Sequence, residues 1–142
     1  MLAGYQPNKS LPYISGIGGT KMPGETFQRT AFRETLEEIF NVNTFPLGLL
    51  NTIELILEPT RIMQNGNYII IVLTFEDLGI ILRICRAYNL KTPIYDTIPL
   101  RLNDLIFNRK FDISAEITHL ALIPLAKKVT IDPYFVEDLD LM

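Results

Sequence analysis

The sequence predicts an α/β fold in which a central sheet is covered by helices on both faces. Two patterns carry that expectation. Good helix formers run from Thr26 to Phe40 with apolar residues on one side and carboxylates on the other. The run Tyr68 to Phe75, YIIIVLTF, is apolar on both faces, as a strand covered from two sides must be. The chain of 142 residues is 48% hydrophobic and 20% charged, which fits one domain with a substantial core.

The elements follow in order. Pro12 to Ile17 alternates weakly and reads as a short strand running into Gly18-Gly19. Pro23-Gly24 turns the chain, and Thr26 is placed to cap the helix that ends near Phe40. Thr52 to Leu57 reads as a strand ended by Glu58-Pro59. A hairpin follows, with Arg61 to Gln64 and Tyr68 to Phe75 flanking Asn65-Gly66, a pair that tolerates the positive backbone angles of a tight turn. Glu76 to Leu90 carries a helical stripe of Leu78, Ile81, Leu82 and Cys85. Beyond it, Pro93 and Pro99 bracket an irregular stretch, a short helix is expected near Asn103 to Asn108, and Ile117 to Ile123 reads as a strand. Asp132-Pro133 then supplies a cap and first-turn proline for a last helix.

Composition bounds the function. A net charge of −3 offers no general attraction for a nucleic-acid backbone, and Arg83, Arg86, Arg101, Arg109 and Lys110 follow no regular spacing, so they read as a solvated surface. The apolar runs Tyr68 to Phe75 and Leu78 to Ile84 are too short to span a bilayer, and the N-terminus lacks the pattern of a secretory signal. Cys85 is the sole cysteine, which favours a reducing, cytoplasmic setting and a small buried hydrophobe over a disulfide.

The chemistry concentrates on the first helix. At about 100° per residue, Glu34, Glu37 and Glu38 share one face, while Phe32, Leu36, Ile39 and Phe40 lie opposite. Carboxylates four apart repel by roughly 0.2 to 0.5 kcal/mol on an exposed helix, and more when buried. Arg33 can pair with Glu37 and Glu25 can pair with Arg33, yet an acidic surplus remains. Clustered carboxylate oxygens are what a hard divalent cation such as magnesium or manganese prefers. Glycines in the preceding loop let backbone carbonyls approach a ligand closely.

The segment GGTKMPGETFQRTAFRETLEE, Gly18 to Glu38, resembles the box that defines the Nudix hydrolases. Gly19, Glu25, Arg33, Glu34, Glu37 and Glu38 fill the glycine and charged positions of that pattern at its spacing. Thr35, Phe40 and Asn41 depart from it, standing where the pattern has an aliphatic, a glycine and an aliphatic residue. The resemblance implies a Nudix-like α/β/α sandwich with a mixed central sheet, here missing part of its N-terminal strands because at most one or two fit before Gly18. Such a sheet would leave an unpaired edge, which invites a homodimer.

The resemblance further implies a magnesium- or manganese-dependent hydrolase that cleaves a diphosphate linkage in a nucleoside diphosphate derivative. In that reading Glu34, Glu37 and Glu38 bind metal or activate water, the Gly18 carbonyl is a further metal ligand, and Arg33 and Glu25 brace the carboxylates, with Gly19 in support. Removal of an RNA cap is a second expectation within the same family, and a non-catalytic nucleotide-binding or regulatory module is a third. Glu76, Asp77 and Glu116 are candidates for a later base or ligand, each weighed against a role as cap or surface residue. His119 has no histidine or cysteine companion and reads as a half-exposed structural residue. One of Tyr68, Phe75, Tyr88, Tyr95, Phe107 and Tyr134 could stack on a base, but nothing in the sequence selects it.

Overall fold

In the computed structural model, helix α1 (Phe27–Phe40) begins where Thr26 predicts, its hydroxyl accepting from the Arg29 amide. The structure describes residues 1–7, 13–15, 17–58, 61–65 and 68–122. The helix expected after Asp132-Pro133, with Tyr134, lies outside them. The back of α1 buries Phe32, Leu36, Ile39 and Phe40, and Asn41 ends it in the left-handed conformation at φ 50°.

Two antiparallel sheets accompany the helices. Strand β1 (Leu2–Gln6) lies between β2 (Tyr13–Ser15) and β5 (His119–Leu122), with Leu2 opposite Leu122 and Gly4 opposite Ser15. The sequence reading anticipated β2 and β5 in shortened form and missed β1. A strand of five residues beginning at position 2 has too little local pattern to announce itself, and its ladder depends on a partner more than a hundred residues away. No parallel pair occurs among the described residues, so the expected mixed sheet has no parallel member there.

The expected hairpin forms, as β3 (Arg61–Asn65) against β4 (Tyr68–Val72), but Asn65 pairs with Tyr68 as the last residue of β3 instead of standing in the turn, and Gly66 lies outside the described residues. It is a separate two-stranded sheet, and β4 is not the central strand its composition suggested. Ile69 to Val72 are half-buried and Ile62 is exposed, so helices do not cover both faces. The apolar run is also shorter than expected: Thr74 caps the next helix, α3 (Phe75–Ala87), through a capping box in which its hydroxyl accepts from the Asp77 amide and Asp77 accepts from the Thr74 amide. Asn89, at φ 58°, turns the chain out of it, and α4 (Leu102–Phe107) forms close to the predicted short helix.

The larger correction is Thr52 to Leu57, expected as a strand and found as helix α2 (Leu49–Ile56). A short apolar run cannot be assigned by periodicity alone. Burial decides it: Leu49, Ile53 and Leu57, four apart, are buried, whereas Leu55 is 86% exposed. Gly48, at φ 85°, admits the chain to this helix. The core gathers these helical faces, joining Leu36 and Phe40 of α1, Ile53 of α2, Leu82 and Cys85 of α3, Leu105 of α4 and Ile117 ahead of β5. Burial pushes the Cys85 thiol up to about 12, as an inert packing residue requires.

The helical assignment has a direct test, because Ile53 and Leu55 would share one face of a strand but lie on opposite sides of a helix. Ile53→Ala is expected to cost about 2–5 kcal/mol in chemical denaturation, and Leu55→Ala about 0.5 kcal/mol or less. Similar losses at both positions would restore the strand.

Candidate functional site

Arg33 lies mid-way along α1 and is 8% exposed. All five of its N–H groups find acceptors. Nε and Nη2 form a fork on Glu25, at 2.7 and 3.0 Å. Nη1 donates to Glu34 at 2.8 Å and to Glu37 at 3.0 Å, and Nη2 also donates to the Thr20 carbonyl at 2.9 Å. One guanidinium therefore bridges three carboxylates, leaving an acidic surplus, and ties the loop before α1 to the helix. Glu25 is held further by the Met22 amide at 2.8 Å and the Thr30 hydroxyl at 3.2 Å. Hydrogen bonding from Arg33 holds the Glu25 carboxyl well below its usual value, at about 2.

The glycines divide the remaining work. A Cβ on Gly19 would collide with the Glu34 carboxylate where Arg33 holds it, so any side chain here would displace that carboxylate from Arg33. A Cβ on Gly18 would meet nothing, and that residue contributes instead an amide that donates to Glu38 Oε2 at 3.2 Å.

Glu38 occupies the last turn of α1 and is 6% exposed. Burial pushes its carboxyl up to about 8, with further upward pressure from the charges of Glu116, Glu34 and Glu37, against the pull of the Gly18 amide. These four carboxylates line one pocket of about 220 Å³, together with Asn41 and Asn43. The structure thus brings together every site residue the sequence singled out on the loop and helix, and adds Glu116. It leaves Glu76 and Asp77 elsewhere, both in the first turn of α3, with Asp77 committed to the capping box.

Among the described residues no three histidine, cysteine, aspartate or glutamate side chains are arranged as a formed metal site. The reason is visible in the bonds, since Arg33 takes one oxygen each from Glu34 and Glu37, and Gly18 takes one from Glu38. The donor chemistry nevertheless fits a hard divalent cation. Of the five carboxyls of Glu25, Glu34, Glu37, Glu38 and Glu116, three are paired to the single Arg33 guanidinium, and burial favours the protonated form of Glu38.

Sequence reasoning missed Arg109, which it placed among scattered surface cations. The guanidinium is half-buried and turned onto backbone carbonyls at the end of α1. No local pattern could show this, because the acceptors lie about 70 positions away. Of the other cations, Arg83, Arg86 and Arg101 are exposed and Lys110 pairs with Asp96. His119 is exposed beside Tyr5 and Phe111, with the Thr118 hydroxyl 2.9 Å from its Nδ1, as a structural histidine would be. Of the aromatics, Phe75 and Phe107 are exposed, Tyr88 half-buried and Tyr95 buried, and none of them lines the carboxylate pocket.

No family model matches the chain, and no curated protein or solved structure matches it either. No helix among the described residues is long and apolar enough to cross a membrane.

The two perturbed carboxyls carry opposite pH signatures. Glu25 contributes stability that is fully present above its ordinary value of 4.5 and is lost as pH falls toward 2. Glu38 keeps a proton in the folded state that the unfolded chain releases above 4.5, so its contribution falls as pH rises from 4.5 to 8 and then levels off. Thermal melts are expected to show Glu38→Gln matching the wild type below pH 4.5, gaining on it between pH 4.5 and 8 and keeping a constant lead above that, while Glu25→Gln loses stability at neutral pH. A Glu38→Gln curve parallel to the wild type across this range would contradict the burial argument.

Proposed function

We propose that the chain is a Nudix-type, magnesium- or manganese-dependent hydrolase of a diphosphate linkage in a nucleoside diphosphate derivative, built on a Nudix-like sandwich with shortened N-terminal strands. One observation supports this reading above the others: the six residues that match the box pattern meet in a single network. Arg33 joins Glu25, Glu34 and Glu37, Gly19 makes room for Glu34, and Glu38 stands buried beside them. Spacing alone does not require these residues to touch.

Glu34, Glu37 and Glu38, with the Gly18 carbonyl, would hold the cation. When bound, it would neutralise charge developing on phosphate oxygens and lower the pKa of water. The chain's own residues do the rest. Arg33 keeps Glu34 and Glu37 from swinging apart, Glu25 keeps Arg33 in place, and the Gly18 amide orients Glu38. Glu38 and Glu116 line the same pocket, where either could accept a proton from attacking water.

A second reading, a non-catalytic nucleotide-binding or regulatory module, is favoured by a specific observation. Arg33 is already bonded to Glu34 and Glu37, and among the described residues no three histidine, cysteine, aspartate or glutamate side chains are grouped to hold a metal ion. The box would then serve as a charged brace for the loop.

Purified protein with manganese, assayed on nucleoside triphosphates, nucleotide sugars, dinucleoside polyphosphates and capped RNA, separates the two. Hydrolysis of at least one substrate is expected, with a loss of about 100-fold or more in Glu38→Gln. A folded wild type that is inert on the whole panel, and whose manganese affinity by calorimetry is unchanged in Glu34→Gln, would leave the module reading in its place.

A further inference from the structure

Arg109 follows α4 and reaches back to two other segments of the chain. Its Nη1 donates to the Ile39 carbonyl, and its Nη2 donates to the carbonyls of Glu38 at 3.1 Å and Ile117 at 2.9 Å. Nη1 also approaches the Tyr95 hydroxyl at 3.5 Å, and the guanidinium stands 5.9 Å from the centre of the Tyr95 ring. Nε is buried with no hydrogen-bond partner among the described residues, so the planar group is oriented by its Nη contacts even at the cost of leaving one donor unmet.

The carbonyls it grips come from two separate segments, the end of α1 and the residue after Glu116, and both segments contribute side chains to the carboxylate pocket. Those of Glu38 and Ile39 are in the last turn of α1, where intrahelical donors run out and a cation complements the negative end of the helix. The carbonyl of Ile117 belongs to the residue that directly follows Glu116. Ile117 is itself anchored, since its side chain is buried against Gly4, where a Cβ would collide with it. The side chains of Glu38 and Glu116 line the same pocket, and the three carbonyl bonds of Arg109 tie together the backbone beside each of them.

We infer that Arg109 is a positioning residue that sets the spacing between Glu38 and Glu116, and through it the affinity of the pocket for a divalent cation. The inference rests on the metal-dependent reading proposed above. A guanidinium can do this because its donors lie in one plane at fixed angles and reach three carbonyls at once. A lysine ammonium keeps the charge but presents a single point. The role is distinct from a simple staple, which would act on the folded fraction and leave the affinity of the folded molecules alone.

Calorimetric titration with manganese tests it, using wild type, Arg109→Lys, Glu116→Gln and the double variant, with melting curves for each. Arg109→Gln runs in parallel as a second variant should the lysine form fail to fold. Arg109→Lys is expected to bind manganese about tenfold more weakly or worse, the scale of losing a residue that orients metal ligands. In the Glu116→Gln background the same change should cost much less, since the spacing it governs no longer holds a charge. Tyr95→Phe, which leaves the three carbonyl bonds in place, should bind as the wild type does. A manganese affinity for a folded Arg109 variant within about twofold of wild type, or losses that add in full in the double variant, would overturn the inference while leaving the metal reading intact. A wild type that binds no manganese would remove both.

Discussion

Arg33 is the one positive charge on which the loop before α1 and the acidic face of α1 both depend. Its five donors are divided among three carboxylates and a backbone carbonyl, and most of the geometry of the candidate site follows from that division. Without it, Glu25, Glu34 and Glu37 would repel at close range in a partly desolvated setting, and the loop from Gly18 to Glu25 would lose two of its attachments to the helix. Breaking a buried pair by removing one partner costs about 3–5 kcal/mol because the other charge is left uncompensated. The arginine is thus as much a part of the fold as of the site.

The core and the site are the two sides of one helix. Phe32, Leu36, Ile39 and Phe40 bury the back of α1 against α2, α3 and the segment around Ile117, which fixes how far the acidic front can move. Glu38 sits where the two sides meet. It has the burial of a core residue and the chemistry of a site residue, and the conflict appears as a carboxyl that keeps its proton near neutral pH. A carboxylate in that position is an energetic burden on the apo fold, and a bound cation would relieve it.

Glu38 is also where the long-range contacts accumulate. The Gly18 amide holds its side chain from the loop, Arg109 holds its backbone from beyond α4, and Glu116 faces it across the pocket. The loop before α1 and the stretch from Arg109 to Glu116 therefore converge on the end of one helix. That convergence gives a pocket with a defined width, whether its role is turnover or the holding of a charged ligand.

What the sequence by itself determined is what depends on neighbours along the chain. Thr26 caps α1 at the position its residue type indicates, the acidic and apolar faces of α1 separate as the 3.6-residue period requires, and Asn65-Gly66 marks the hairpin. The spacing from Gly19 to Glu38 identified residues that do meet in space, because a glycine before the helix and charges one turn apart are local facts. Only the tertiary structure decided the rest. Leu49 to Ile56 is helical because the core accepts Ile53 and leaves Leu55 outside, and β4 is excluded from the larger sheet because β1 pairs with β2 and β5 instead. Glu116 lines the pocket with Glu38, and Arg109 holds the end of α1 by bonds to carbonyls about 70 positions away. Packing and long-range hydrogen bonding select among locally equivalent arrangements, and a pattern read over ten or fifteen residues carries no term for them.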